Sequence, residues 1–381
     1  MSFFMSVKRV GVIGGGQLAW MMAGAARKLG IELLVQTPRE NDPAAKIASQ
    51  VILAPVDDAQ ATEKLATLCD VITFENEFIN LEALQKLAHR GVCFHPSLTA
   101  LDPLLDKYHQ RNFLQNLGLP VPRFQAVEST TSNSPWDFPV VVKARRHGYD
   151  GRGTFIVHNR EELIATCQDR ETSNLMLEEF VPFERELAVM AARGIDGEVV
   201  IYPIVETQQE KQVCRRVIAP AGIDVKIEDQ IRSIANSILS KLEVVGIFGI
   251  ELFLTPEGKV FVNEIAPRTH NSGHYTLDAC KISQFEMHLR AVAGLPLKET
   301  EMAPGSAVMI NLLGYEDSRQ DYLEKRQKIA AIPQAHLHWY GKLESRPGRK
   351  LGHVTVLLDA KTRAQEQMSC TIEQVESIWY Q

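Results

Sequence analysis

The sequence lacks several features that would assign it to a common class of protein. Its six cysteines are scattered without C-x-x-C spacing, which argues against a zinc site or a disulfide framework. No apolar run approaches the ~20 residues of a membrane span, and the N-terminus does not read as a signal peptide. A formal net charge of -6 gives no general attraction to nucleic acid or to an anionic membrane. We therefore expect a cytoplasmic globular protein with neither partner.

A complete dinucleotide-binding signature is also missing. Residues 14–19 read Gly-Gly-Gly-Gln-Leu-Ala and fit the G-x-G-x-x-A turn between a strand and a helix. That site also needs an acidic residue near the end of the second strand, to hold ribose hydroxyls. Gln36 stands there instead. A nicotinamide oxidoreductase is therefore disfavoured, while a general anion site at the helix N-terminus and a plain tight turn both stay open.

The pattern of apolar runs predicts an α/β protein with more than one domain, as the length of 381 residues also suggests. Runs at 7–13, 31–36, 51–53, 71–74 and 92–94 alternate with helical patterns, which predicts a doubly wound parallel sheet. Residues 119–122 read Leu-Pro-Val-Pro and indicate a linker. We expect an N-terminal domain at 1–107, a central α+β domain at 108–300 and a small β-rich C-terminal domain at 301–381.

A second glycine segment follows a predicted strand that ends at Lys143. Glycines at 148, 151 and 153 allow the backbone to wrap closely over phosphates and donate its amides to them. A lysine at the strand end suits a phosphate contact. No G-K-[ST] follows, so the segment is not a P-loop. The alternative is a basic surface hairpin.

Two carboxylates interrupt neighbouring apolar strands. Glu251 lies within residues 248–254 and Glu264 within residues 260–265, and Pro256-Glu257-Gly258 turns the chain between them. Burying both without partners would be costly. Mg²⁺ between these carboxylates and ATP phosphates would compensate, since it binds one or two carboxylates plus phosphate oxygens. The alternative is a pair of half-exposed acids in salt bridges. A third acidic segment, at 177–181, suits an adenine edge and a ribose hydroxyl.

Together these segments resemble the ATP-grasp superfamily, and in detail the 5-(carboxyamino)imidazole ribonucleotide synthetase family. The resemblance spans almost the whole chain in the right order. It is carried by the turn at 14–19 and by the segments 148–153 (GYDGRG), 263–268 (NEIAPR), 270–274 (HNSGH), 283–286 (SQFE), 339–342 (WYGK) and 346–353 (RPGRKLGH). The implied fold holds ATP between two halves of the central domain.

The resemblance also implies roles for individual residues. ATP would contact Lys107, Lys143, Gly148, Tyr149, Asp150, Gly151, Arg152, Gly153, Thr154, Glu178, Glu179, Phe180, Val181, Glu186, Gln209, Asn263 and Glu264. Mg²⁺ would bind Glu251 and Glu264. The ribonucleotide and bicarbonate would lie among Glu75, Tyr149, Asp150, Arg152, Arg268, His270 and Asn271, with Lys342 and Arg349 on the 5′-phosphate. The implied catalytic groups are Lys143, Arg268 and Asp150, the last as the base.

The implied reaction is the ATP- and bicarbonate-dependent carboxylation of 5-aminoimidazole ribonucleotide in purine biosynthesis, through carboxyphosphate, by a homodimer. Two departures from the family pattern are Lys107, where an arginine is frequent, and Gln208-Gln209, where a histidine often stands. Other ATP-grasp ligases remain alternatives, such as a formate-using formyltransferase or a biotin carboxylase-like enzyme. So does a non-catalytic nucleotide-binding regulator, although a regulator has less need of two metal carboxylates.

Overall fold

A computed structural model describes residues 7–129, 134–146, 148, 153–168, 170–303, 305–358 and 364–380. Their strands form two four-stranded sheets and one large sheet. Across these ranges, no helix combines the length and the apolar character that a membrane crossing would need.

The first sheet is parallel, with strand order β3-β2-β1-β4, and it confirms the predicted doubly wound N-terminal sheet. Parallel neighbours need crossovers, and helices supply them. Residues 92–94, predicted as a strand, make a single bridge from Phe94 to Ile72, and Pro96 then has no N–H to extend a ladder. The elements are β1 Arg9–Ile13, α1 Gln17–Leu29, β2 Glu32–Thr37, β3 Gln50–Leu53, α2 Ala59–Ala66, β4 Val71–Phe74, α3 Leu81–His89 and α4 Leu98–Leu101.

The second sheet is antiparallel, with order β5-β8-β6-β7. Lys143 pairs with Thr154 at the end of the β6–β7 hairpin, so the glycine segment stands between two paired strands in the sequence. The elements are α5 Lys107–Asn116, β5 Phe124–Ala126, β6 Val140–Ala144, β7 Thr154–Val157, α6 Arg160–Gln168 and β8 Leu175–Glu179.

The large sheet runs β14-β13-β9-β11-β12-β15-β17-β16, with β10 beside β9. The C-terminal strands continue the central sheet, because β12 pairs with β15. The domain limit at residue 300 is therefore no break in the sheet. The elements are β9 Arg185–Arg193, β10 Val199–Ile201, β11 Val205–Glu210, β12 Val213–Ala219, α7 Val225–Leu242, β13 Gly246–Leu254, β14 Val260–Ala266, α8 Thr276–Ala279, α9 Gln284–Val292, β15 Ser306–Leu313, α10 Leu323–Ala330, β16 Ala335–Trp339, β17 Lys350–Leu358 and α11 Ala364–Tyr380.

Two helices tie these layers together. Helix α7 buries Ile231, Ile234 and Ile238, spaced along one helical face, in the core of the large sheet. Helix α9 packs Phe285 and Leu289 into the core of the first sheet, and so joins the N-terminal region to the rest.

Candidate functional site

A cavity of about 1330 Å³ lies between the second sheet and the large sheet, and the loop after β4 closes one side of it. The cavity brings together most of the residues predicted for the site. On its wall are Glu75, Lys107, Lys143, Gly148, Thr154, Glu178, Glu179, Phe180, Val181, Glu186, Gln209, Glu251, Asn263, Glu264, Arg268, His270 and Asn271. Gly153, Lys342 and Arg349 lie off this wall, and the predictions for Tyr149, Asp150, Gly151 and Arg152 fall outside the described residues.

The two strand carboxylates meet as predicted. Glu251 on β13 pairs directly with Glu264 on β14, so their side chains share one face of the sheet. Burial, and then the neighbouring Glu264 carboxylate, raise the pKa of Glu251 to about 7. Burial would also raise the pKa of Glu264, but the Lys107 ammonium, in contact with its Oε2, holds that pKa below its ordinary value. The Glu264 carboxylate is therefore already compensated by the Lys107 cation, whereas a cation would still stabilise the charged form of Glu251.

Polar neighbours orient this carboxylate pair. The Asn263 Nδ2 donates to Glu251 Oε2 at 3.4 Å, and the Lys143 Nζ donates to Asn263 Oδ1 at 3.0 Å. His270 Nε2 lies 3.6 Å from Glu251 Oε1. The carboxylates thus point into the cavity opposite a lysine, as a site for a divalent cation and phosphates requires.

A buried ion triad fixes that lysine. Glu178, on β8, receives Arg111 Nε at 2.5 Å and Lys143 Nζ at 2.6 Å, and all three side chains are under a tenth exposed. Burial alone would raise the pKa of Glu178, but Arg111 and Lys143 hold it at about 2. The contact of Glu178 with adenine or ribose stays a prediction, and the structure shows a second role for its carboxylate. Its oxygens are engaged by two cations, and it orients Lys143.

The Glu186 carboxylate is better placed than that of Glu178 to accept a hydrogen bond from a ribose hydroxyl. Burial raises its pKa, partly offset by a hydrogen bond from Gln209. Its Oε2 is buried on the cavity wall and has no hydrogen-bond partner in the described part of the chain. A hydroxyl donor would satisfy that oxygen. Nearby, the rings of Phe183 and Phe253 stack with centroids 4.6 Å apart, and they give the cavity an apolar face for a planar base.

Arg268 is held by the N-terminal region. Its Nε lies 3.0 Å from Glu77 Oε1, and its Nη2 donates to Glu77 Oε2 at 3.2 Å. Burial would lower the pKa of Arg268, but Glu77 raises it above its ordinary value. The guanidinium is thus a permanent positive charge beside the Glu251–Glu264 pair, with a fixed orientation.

Glu75 resolves the alternatives for the first glycine turn. Its carboxylate accepts from the amides of Gly16 at 2.6 Å and Leu18 at 3.0 Å, at the N-terminus of α1. A Cβ on Gly14 or Gly16 would come within 2.6 Å of that carboxylate. The turn is therefore an anion site, and the anion is the protein's own. Gln36, where a dinucleotide site needs an acid, is buried and donates to the carbonyls of Pro55 and Asp58.

The basic C-terminal segment contributes Lys350, which lies in the motif at 346–353 and has no role implied by the resemblance. Lys350 lies on the cavity wall. Lys342 donates to the Lys350 carbonyl at 2.7 Å, and Arg349 donates to the Glu344 carbonyl at 2.7 Å. The phosphate cradle at Lys342 and Arg349 stays a prediction, with Lys350 as its member nearest the cavity.

A cluster of Asp278, His338 and His353 has potential ligand atoms within 4.8 Å of one another. The two imidazoles stack with centroids 4.6 Å apart and planes 15° from parallel. A metal ion lies in the plane of each imidazole that binds it, about 2.0–2.1 Å from the nitrogen. Nearly parallel stacked planes share no such point. We therefore assign no metal to this cluster.

The site residues that were not predicted from the sequence share one property: the residues that they contact are distant in sequence. Arg111 on α5 had one available signal, because it lies four positions after Lys107 and so shares its helix face. Glu77, two residues after Glu75, carried no local signal that it pairs with Arg268. Neither did Phe183 and Phe253 carry a local signal that their rings stack.

Three family models cover most of the chain. They describe a ribonucleotide synthetase preATP-grasp domain at residues 7–102, an ATP-grasp domain at 112–285 and a phosphoribosylaminoimidazole carboxylase C-terminal domain at 307–367.

Individual relatives match over nearly their full length. The N5-carboxyaminoimidazole ribonucleotide synthase of Synechocystis sp. is 53% identical, over 97% of this chain and 98% of the relative. The crystal structure of the Thermotoga maritima synthetase superposes with a TM-score of 0.87 at 42% identity, over 97% of this chain and 98% of that one. That of the Aspergillus clavatus synthase, in complex with ADP and 5-aminoimidazole ribonucleotide, superposes with a TM-score of 0.87 at 30% identity, over 98% of this chain and 99% of that one. The chain therefore belongs to the N5-carboxyaminoimidazole ribonucleotide synthase family of ATP-grasp ligases.

Proposed function

We propose that this protein uses ATP and bicarbonate to carboxylate the exocyclic amine of 5-aminoimidazole ribonucleotide, releasing ADP and phosphate. The observation that supports the proposal most directly is that Glu251, Glu264, Lys143, Arg268 and Asn271 all line the same cavity. The part of the cavity at Glu251, Glu264 and Lys143 suits a nucleoside triphosphate. The neighbouring part, at Arg268 and Asn271, suits an anion and a polar ring. The Aspergillus clavatus relative, crystallised with ADP and this ribonucleotide, supports the same pair of ligands.

Mg²⁺ fits the donor set of the cavity. Glu251 and Glu264 offer the carboxylate oxygens that Mg²⁺ prefers, and the raised pKa of Glu251 reports a negative charge that a cation would stabilise. Mg²⁺ bound there would neutralise part of the charge on the transferring phosphoryl group. Asn263 orients Glu251 through its side-chain amide.

The first step in this proposal is attack of a bicarbonate oxygen on the γ-phosphorus of ATP, which breaks the bond to ADP and forms carboxyphosphate. Lys143 is oriented by Glu178 and Asn263, and it would contact the phosphates. Arg268, held by Glu77, would bind bicarbonate next to them. Both cations are oriented before the reaction, so little reorganisation is needed when charge develops.

Carboxyphosphate then breaks down to carbon dioxide and phosphate, and the substrate amine attacks the carbon. The nitrogen loses one proton, and we propose Asp150 as its acceptor. An enclosed site matters because water would consume the intermediate. Glu75, Tyr149, Arg152, His270 and Asn271 would surround the ribonucleotide. A formate-dependent transferase is the remaining ligase alternative, and the one-carbon donor distinguishes the two.

The proposed function extends to the oligomeric state, the location and the domain limits of the protein. The protein is expected to be a homodimer, supported by Leu53, half exposed on the edge strand β3, and by the partly exposed Ile47 just before it. Sedimentation as a monomer at micromolar concentration would contradict this. The free cysteines support a reducing, cytoplasmic location. The domain limits stay at residues 107 and 300.

The donor assay tests the proposed reaction directly. With ATP, Mg²⁺ and 5-aminoimidazole ribonucleotide, ADP release should depend on added bicarbonate, and labelled bicarbonate should enter the product. Formate should not replace it. ADP release that requires formate, or that ignores the ribonucleotide, would contradict the proposal.

Replacing Glu264 tests the cation site. Glu264→Gln keeps the shape of the side chain but removes one anionic ligand, so turnover at moderate Mg²⁺ should fall at least a hundredfold while the circular dichroism spectrum is unchanged. Glu257→Gln is the matched control, because Glu257 is an exposed acid in the turn of the same hairpin. Near-normal turnover of Glu264→Gln would remove this residue from the metal site.

The raised pKa of Glu251 predicts that the stabilisation of the protein by Mg²⁺ depends on pH. Its pKa is raised from 4.5 to about 7, so the stability that this group contributes is fully present below its unfolded pKa and is lost as the pH rises through about 7. A divalent cation should offset that loss. Mg²⁺ should therefore raise the urea midpoint more at about pH 8 than at about pH 6. Glu251→Gln should abolish most of the difference, whereas an equal effect of Mg²⁺ at both pH values in the unsubstituted protein would contradict the assignment.

Arg349 tests the predicted phosphate cradle. A charge-assisted contact contributes about 1.5–3 kcal/mol, so Arg349→Ala should weaken ribonucleotide binding roughly ten- to a hundredfold in a calorimetric titration. Affinity for ATP should change little. The nucleoside without its phosphate is the control, and Arg349→Ala should bind it no worse than the unsubstituted protein does. Equal weakening for nucleoside and nucleotide would show that Arg349 does not read the phosphate.

A further inference from the structure

A pair of buried asparagines connects the C-terminal region to the ligand cavity. Asn271 Nδ2 donates to Asn311 Oδ1 at 3.0 Å, and Asn311 Nδ2 donates to Asn271 Oδ1 at 2.7 Å. Asn271 lies just after β14 and lines the cavity, whereas Asn311 lies on β15, is fully buried and is not part of the cavity wall. The two residues are 40 positions apart, so the contact depends on β15 joining the large sheet.

A third group fixes the orientation of this pair. Asn311 Nδ2 also donates to the carbonyl of Cys214 at 2.9 Å, on the neighbouring strand β12. Only the nitrogen of a carboxamide can donate to a carbonyl, so Asn311 Oδ1 is turned towards the Asn271 amide. The reciprocal bond then fixes which end of Asn271 is donor and which is acceptor. Rotating Asn271 by half a turn would set nitrogen against nitrogen and oxygen against oxygen.

This orientation matters for a ligand. A carboxamide has two N–H donors and two acceptor lone pairs. The pairing with Asn311 uses one of each, which leaves one of each for a substrate in the cavity. A side chain already held in one rotamer binds without losing further freedom.

We propose that Asn311 is a positioning residue for the ribonucleotide site: it holds the Asn271 carboxamide in the orientation that binds the substrate, without touching the substrate itself. The inference rests on the proposed function, in which Asn271 contacts the ribonucleotide. The proposed ATP and Mg²⁺ contacts lie on other elements, namely α5, β6, β7, β8, β9, β11, β13 and β14 and the segments beside them, and not on β15. Asn311 should therefore affect one substrate and not the other.

A double-mutant cycle with Asn271→Ala, Asn311→Ala and the double variant tests the inference. Steady-state assays would give KM for the ribonucleotide and for ATP. We expect Asn271→Ala to raise the ribonucleotide KM about tenfold, Asn311→Ala to raise it by a similar or smaller factor, and the double variant to match Asn271→Ala alone. The KM for ATP should stay within about twofold in all three.

Thr355→Val is the matched control for a polar change in the same sheet. Thr355 is fully buried on β17, and its hydroxyl has no hydrogen-bond partner in the described part of the chain. The ribonucleotide KM of this variant should be unchanged. If Asn311→Ala does not fold, Asn311→Ser replaces it, because a serine hydroxyl is too short to restore the reciprocal pair.

The outcomes separate the inference from the function on which it rests. Multiplicative effects of the two substitutions, or a rise in KM for ATP equal to that for the ribonucleotide, would overturn the role of Asn311 and leave that of Asn271 intact. An unchanged ribonucleotide KM in Asn271→Ala would overturn the substrate role of Asn271, and the inference with it. A change in Thr355→Val equal to that in Asn311→Ala would show a general effect of altering this sheet.

Discussion

The direct opposition of Glu251 and Glu264 on adjacent antiparallel strands is the constraint around which the cavity is organised. Two partly buried carboxylates on one sheet face repel each other, and neither can turn away without losing its place in the strand. The surrounding chain supplies positive charge at Lys107, and the raised pKa of Glu251 shows that this compensation is incomplete. A cation would therefore stabilise this pair in the folded chain, and under the proposed function a metal–nucleotide complex would supply it.

Helix α5 distributes the positive charge between the two sheets. Lys107 and Arg111 are four residues apart, so they project from one helix face. Lys107 pairs with Glu264 on the large sheet, and Arg111 pairs with Glu178 on the second sheet. The Arg111–Glu178 pair is the buried one of the two, and removing one partner from a buried ion pair typically costs about 3–5 kcal/mol. The helix therefore fixes the relative position of the two walls between which a nucleotide would lie.

Local sequence was sufficient wherever neighbouring residues decide the structure. The hairpin at Pro256–Gly258 was predictable, but its register alone would place Glu251 opposite Asn263; the bulge between Glu251 and Leu252, which brings Glu264 opposite Glu251, was not predictable. The strand, glycine turn and helix at the N-terminus were equally local. The partners of Glu178 were not predictable, because Arg111 approaches from a separate helix. The role of Asn311 was hidden for the same reason: its partner Asn271 becomes a neighbour only when β15 extends the sheet.

The first glycine turn shows why a local motif cannot by itself name a ligand. A helix N-terminus favours an anion because its first amides lack partners and its dipole is positive there. That demand is general, and the Glu75 carboxylate meets it from the end of β4. The glycines are needed because the carboxylate approaches the backbone so closely. A sequence pattern that is typical of a dinucleotide site therefore binds the Glu75 side chain in this protein. The turn therefore anchors the start of the loop at 75–80, which carries Glu77 to Arg268 and closes one side of the cavity.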